Sequence, residues 1–243
     1  MIYKIINNLN KVIVLIAIIV NASIVLAVQN NDVNIQKPVR VYFAGAIFNQ
    51  KDLIGNMYLA ESLSRLSKGR YDFLLVQNKV QQSVSHKAIR DQDLLGVMNS
   101  NLLIISFDGT ELDSGTLVEF MLAKELDIPC VIYRTDFRGG SGEENSSFRD
   151  NSNEQELGNK WNLMASFYPR TKNIYMNGMI EYQKVYNANQ NQSTDVIARL
   201  YTDRLARSIL SAMDEVMLTK SILSDDERDR AKQKIVRLFD IGV

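Results

Sequence analysis

Between Val39 and Tyr133 the chain alternates short β-rich runs with longer stretches whose apolar residues recur every three or four positions. Nothing else in the sequence narrows the fold as much. The strand-type runs are Val39 to Phe43, Phe73 to Val76, Asn101 to Phe107 and Cys130 to Tyr133. Helical patterns fill the gaps at 52–66, 86–98 and 114–126. In the first of these, Leu53, Met57, Ala60, Leu63 and Leu66 share one face. Strands that alternate with helices in this way build an α/β doubly wound fold, a parallel sheet with helices on both faces. A ligand then sits beyond the carboxyl ends of the strands. That expectation gathers residues 44–50, Gln77, residues 108–115 and residues 134–138 around one crevice.

The flanks read differently. Lys4 and Lys11 precede an apolar run from Val12 to Val28, interrupted by Asn21 and Ser23, and no charge follows until Asp32. Val25, Leu26 and Ala27 fit a small-residue cleavage pattern, so residues 1–27 read as a signal peptide of an exported protein. The rival is an uncleaved anchor that attaches the protein to a membrane, since the run is at the short limit for a span. Residues 139–160 are polar, rich in Gly, Ser, Asn and Glu, and carry no hydrophobic period; a lid and a plain insertion are both open readings. Beyond them come a short helix over 161–167, a strand over 173–176, and two amphipathic helices. One runs from Thr194 to Met217 and the other opens at Ser224 with Asp225, Asp226 and Glu227 in its first turn. The expected organisation is an α/β domain over 38–180 and a helical C-terminal extension over 181–243. That extension would pack on the sheet or on a second subunit.

Composition removes several functions. Lys and Arg total 28 and so do Asp and Glu, which leaves no basic excess for a nucleic acid polymer. The one histidine, His86, and the one cysteine, Cys130, exclude an internal disulfide and a Cys/His zinc cluster; neither a metal nor a cofactor is expected. Acid-base chemistry in such a chain falls to carboxylates.

Three carboxylates are placed for it. Asp113 ends a loop and can cap the helix that follows, with Gly115 leaving room for a close approach. Glu119, on that helix, has Gly115, Thr116, Leu122 and Ala123 on its own face and no cation among them. An unpaired carboxylate in small or apolar surroundings is costly to bury without a purpose. Asp93 lies beside the apolar seam of its helix, next to Ile89, Gly96 and Val97. From pattern alone, Asp113 reads equally well as a cap, Glu119 can also be an exposed helix glutamate, and Asp93 can share a polar face with Asp91. Carboxyls in apolar surroundings hold their protons more tightly, which suits one to proton donation and another, ionised, to nucleophilic attack. Two such groups are the parts of a retaining glycosyl transfer.

These residues also carry a resemblance. Val41-Tyr-Phe-Ala-Gly-Ala-Ile-Phe48, Asp93-Leu-Leu-Gly-Val97, Asp108-Gly, Asp113-Ser-Gly-Thr-Leu-Val-Glu119, Tyr133-Arg-Thr-Asp-Phe-Arg138 and Asn162-Leu-Met164 occur in the order seen in nucleoside 2-deoxyribosyltransferases. The resemblance covers about residues 38–180 and implies a flavodoxin-like or Rossmann-like sheet. It also implies deoxyribonucleosides and free nucleobases as substrates, with 2-deoxyribose passing between bases. Glu119 matches the family nucleophile, and Asp93 the carboxyl that bonds the base and moves its proton. Asp113 matches the acidic residue beside the nucleophile, and Tyr42 the tyrosine that orients it. Gly45 and Gly115 fall in the substrate-binding loops, Phe48 matches an aromatic over base and sugar, and Gln77 is a weaker match to a base-side glutamine. Asn162 and Met164 match residues lent by a neighbouring subunit, so a homo-oligomer is expected.

Ala46-Ile47 stands where many members carry a proline or an aromatic residue, which leaves base preference open. The alternative reaction is hydrolysis of the N-glycosidic bond of a nucleoside or nucleotide, with water as acceptor. No Ser/Arg-rich phosphate nest flanks the sugar's 5-hydroxyl end in the sequence, which favours free nucleosides.

Overall fold

The computed structural model describes residues 37–79, 85–136 and 161–242, and Pro38–Val243 forms one compact unit. The expectations for residues 1–27, 137–138 and 139–160 fall outside the described residues. Among the described residues no helix is long and apolar enough to cross a membrane.

Five strands, β1 (Val39–Ala44), β2 (Tyr71–Leu75), β3 (Leu102–Ser106), β4 (Cys130–Arg134) and β5 (Thr171–Tyr175), form one parallel sheet in the order β2-β1-β3-β4-β5. The strand order reverses between β1 and β3, which is the switch point where doubly wound sheets open a crevice. Six helices surround the sheet among the described residues. They are α1 (Gln50–Ser67), α2 (His86–Met98), α3 (Ser114–Glu125), α4 (Gly178–Ala188), α5 (Thr194–Met217) and α6 (Asp225–Leu238).

The period of two along each strand divides the core. Val41 and Phe43, Leu102 and Ile104, and Val131 and Tyr133 face α1 and α5. Tyr42 and Ala44, Leu103 and Ile105, and Cys130 and Ile132 face α2 and α3. Both sets are buried, which is why these runs are apolar throughout rather than alternating. Each fully buried Leu or Ile here contributes about 2 kcal/mol relative to an exposed one.

Local chemistry sets the helix limits. The Asn49 side chain accepts from the N–H groups of Lys51 and Asp52 to start α1, and Lys68 (φ 54°) with Gly69 (φ 78°) turns the chain out of its end. Ser224 and Glu227 form a reciprocal capping box at α6.

The helices after residue 181 share the core of the sheet. Leu205, Ile209, Met213 and Val216 of α5 bury against β4 and β5, and Ile235 of α6 joins the opposite core. Part of their apolar surface is therefore covered within the chain, while Val196, Leu200 and Leu238 remain exposed. Several elements differ from the sequence reading, among them β5, which runs from Thr171 to Tyr175 rather than over 173–176. The segment 161–167 holds only a 3-10 turn, Leu163–Ala165. Strand β2 begins two residues earlier than expected, at Tyr71, and gives way to a 3-10 turn at Val76–Asn78. Helix α4 has no counterpart in the reading; its fully buried Glu181 is paired by Lys184 (2.7 Å) and by Arg204 of α5.

Candidate active site

Strand β1 carries Tyr42 inward at the switch point, where no surface remains exposed. Its hydroxyl donates to Glu119 Oε1 at 2.5 Å, joining β1 to the second turn of α3. The two residues are far apart in sequence, and the β1–β3 pairing brings them together. Glu119 is half-buried; desolvation pushes its carboxyl from 4.5 up to about 7. The Tyr42 bond pulls the other way, the charges of Asp93 and Asp113 push further up, and Lys79 pulls down. Burial, the Glu119 charge and the bond itself hold the Tyr42 phenol far above its ordinary range, so it remains a donor.

Asp93, on α2, is the third member. Burial raises its carboxyl above the ordinary value, against the pull of Lys79, whose ammonium lies 3.7 Å from Asp93 Oδ1. Asp91, its alternative companion on a polar face, is turned away and buried. It accepts from Lys87 (2.8 Å), from Arg90 (2.9 Å) and from the Gly242 N–H (3.1 Å), which docks the C-terminal segment on α2.

Asp113 does cap α3: its Oδ2 accepts from the Thr116 N–H (2.7 Å) and hydroxyl (2.8 Å). Gly115 serves that cap, since a Cβ there would lie 3.2 Å from the same Oδ2. Gly115 is itself exposed, so its other side stays open. Gly45 sits where β1 approaches β3, with 3.1 Å between an added Cβ and Ser106 Cβ.

Beyond the strand ends on the α1 and α5 side lies a cavity of about 710 Å³, lined by Phe48, Asn56, Asp108, Asp113, Tyr133 and Tyr201 among others. Glu119 and Asp93 do not line it; Asp113 does, and it also bears electrostatically on Glu119. Phe48 is 77% exposed at the cavity mouth. Gln77 donates to the Leu53 carbonyl (2.8 Å) and accepts from Asn56 (3.2 Å), so its amide is tied to α1. Asp108, which lines the cavity, and Arg134, which does not, brace its rim. Asp108 accepts from the N–H groups of Thr135 and Asp136, and Arg134 donates to the carbonyls of Phe107 and Gly109. Asn162 caps its own turn through the Met164 N–H (2.9 Å), and the Met164 side chain is 77% exposed.

Two residues to which the sequence reading gave no role belong to this cluster. Lys79 follows the 3-10 turn after β2, and its ammonium lies 5.7 Å from the centroid of the Tyr42 ring. Gly96 of α2 makes the approach possible: a Cβ there would come within 2.8 Å of Tyr42 Cε2 and 3.0 Å of Lys79 Nζ. Polar residues at the carboxyl end of a strand, Gln77, Asn78 and Lys79, were the available signal. Among the described residues no group of His, Cys, Asp or Glu could hold a metal ion.

Residues 41–164, just over half of the chain, match the family described as nucleoside 2-deoxyribosyltransferase. The chain belongs to that family, a family of enzymes of the deoxyribosyl-transfer type acting on nucleosides and nucleobases. Among solved structures it is similar to a conserved protein from Enterococcus faecalis V583, with 32% identity over 53% of this chain and 84% of that one and a TM-score of 0.42. It is also similar to a 2-desoxiribosyltransferase from Leishmania mexicana, with 21% identity, 54% and 87% coverage and a TM-score of 0.41. A 2-deoxyribosyltransferase from Bacillus psychrosaccharolyticus shows 16% identity, 42% and 77% coverage and a TM-score of 0.36. No curated protein matches the sequence.

Proposed function

We propose that the protein transfers 2-deoxyribose from a deoxyribonucleoside to a free nucleobase through a glycosyl ester on Glu119. The observation that carries this reading is the 2.5 Å hydrogen bond from Tyr42 to Glu119 Oε1 inside a half-buried, carboxyl-rich crevice. It orients the carboxylate and leaves Oε2 as the attacking atom. In the first half-reaction Oε2 bonds to the anomeric carbon as the C–N bond breaks, and the bonding pair leaves on the base nitrogen. Asp93, whose buried carboxyl holds its proton more tightly than an ordinary aspartate, gives that proton to the departing base. The incoming base reverses these steps: its nitrogen attacks the anomeric carbon, Glu119 is released, and Asp93 takes the displaced proton. Atoms and charges balance with no cofactor. Tyr42 keeps its proton throughout and acts by positioning.

Asp113 is a secondary influence, since its carboxylate is committed to Thr116 and acts on Glu119 through charge. Phe48 and Gly45 contribute the cavity mouth and the close strand approach beside it, Gln77 sets the position of α1, and Asn162 and Met164 complete the pocket of a neighbouring copy. Incubation of deoxyinosine with and without adenine tests the proposal. Deoxyadenosine formed only when adenine is present supports it, and hypoxanthine released at the same rate without adenine shows hydrolysis instead. Glu119→Ala, folded by circular dichroism, must lose the exchange; an active variant removes the nucleophile assigned here.

A further inference from the structure

The crevice sets an electrostatic problem that the three carboxylates do not solve among themselves. Glu119 is faced by Tyr42 from β1, Asp93 from α2, Asp113 from the turn before α3, and Lys79 from the turn after β2. Tyr42 is neutral, and any negative charge on the two aspartates opposes one on Glu119. Lys79 is the one cation in that set. Its side chain is 13% exposed and Asp93's is 26%, so the pair stands largely out of water, where charge acts more strongly than at a surface. The ammonium donates to the Gln92 carbonyl at 3.3 Å, lies 3.7 Å from Asp93 Oδ1, and approaches the Tyr42 ring face. Arg40 and Asp72 line the recess of about 320 Å³ that adjoins it, with Gly96 and Asn99. Glycine at position 96 is what lets the ammonium and the ring meet.

We infer that Lys79 is a positioning residue for the glycosyl transfer. Its ammonium holds the Asp93 carboxyl against α2 and supplies the counter-charge under which Glu119 ionises to attack the sugar. The role rests on the preceding assignment of Glu119 and Asp93 as the reacting carboxyls. A lysine that only packs on Tyr42 would be replaceable by methionine; a lysine that supplies charge would be replaceable by arginine alone.

Carboxyl carbon NMR of the full chain, followed from pH 5 to 9 in the parent and in Lys79→Met, Lys79→Gln and Lys79→Arg, separates these roles without any substrate. Removing the cation disfavours the charged carboxylate, so the Glu119 midpoint should rise in the Met and Gln variants and stay in place in the Arg variant. Base exchange should follow: the neutral variants should lose a larger share of their activity at pH 6, below the Glu119 midpoint, than at pH 8, above it. Lys79→Gln keeps a donor for the Gln92 carbonyl, so it reports on charge even if Lys79→Met folds poorly. An unchanged Glu119 midpoint in a folded neutral variant overturns the inference, as does a shifted midpoint with an unchanged pH profile of exchange. A parent protein that performs no exchange defeats the proposed function instead, and the NMR midpoint still decides whether Lys79 sets the charge state of Glu119.

Discussion

Replacing Glu119 with glutamine should stabilise the fold while it abolishes transfer. Desolvation moves the Glu119 carboxyl from 4.5 in the unfolded chain to about 7 in the folded one, more than the Tyr42 hydrogen bond lowers it. Between those values the folded state binds the proton and the unfolded state releases it. This contribution to stability is therefore complete below pH 4.5 and is lost as the pH rises through about 7. Such a displacement amounts to about 3 kcal/mol at pH 8, and water reaching part of the carboxyl reduces it to about 2 kcal/mol. Glutamine carries no charge to desolvate, and its amide oxygen still accepts from Tyr42. Urea unfolding at pH 5 and pH 8 measures the effect. The variant should gain about 2 kcal/mol on the parent between the two conditions, with exchange lost at both. A stability difference that does not change with pH would refute the account of Glu119 as a carboxyl held in apolar surroundings at the expense of the fold.

Three further outcomes follow from the geometry. Gly96→Ala forces a Cβ to within 2.8 Å of the Tyr42 ring, so it should displace the ring from Glu119 and lower kcat at least tenfold. The thermal midpoint should fall by an amount equivalent to about 1–2 kcal/mol, and unchanged kinetics would disprove the contact. Asp127→Ala removes the acceptor for the Ile222 and Leu223 N–H groups and the 2.7 Å partner of Arg170, at a residue with φ 53°. It should cost about 3 kcal/mol in urea unfolding, with Asp127→Asn milder because asparagine accepts that backbone conformation; a loss under about 1 kcal/mol contradicts it. Mixing Asn162→Ala with Glu119→Ala chains should restore part of the activity if neighbouring copies share sites. No recovery from subunits shown to exchange would mean that each pocket is built within one chain.

The sheet was legible because burial on two faces leaves a plain mark. In α1 the expected face is only half right, with Leu53 and Met57 exposed beside buried Ala60 and Leu63, but residues such as Leu102 to Ile105 have no polar position to spare. Helix α5 was legible for the same reason, with eight buried residues on one side. Helix α4 was not. It buries only Glu181 and Val185, and it leaves Met179, Tyr182 and Tyr186 exposed, so its apolar residues do not mark a core. At the site, the Asp113 cap is a local event between residues three apart, and spacing alone suggested it. The Tyr42 to Glu119 bond depends on which strands become neighbours. Glu119 stood out from the residues on its helical face, whereas Tyr42 was reached only through the resemblance. Lys79 carries no local signal beyond its place at a strand end, because its meaning comes from Gly96 and Tyr42, which other elements deliver.

The covalent ester on Glu119 is the claim on which the rest depends, and a trapping experiment tests it most directly. The protein is mixed with excess deoxyinosine and no acceptor base, quenched in acid, digested, and its peptides weighed. The account predicts a 2-deoxyribosyl mass increment on the peptide that contains Glu119, absent from the Glu119→Gln variant and discharged when adenine is added before the quench. An increment on any other side chain, or undiminished exchange by the glutamine variant, would contradict it.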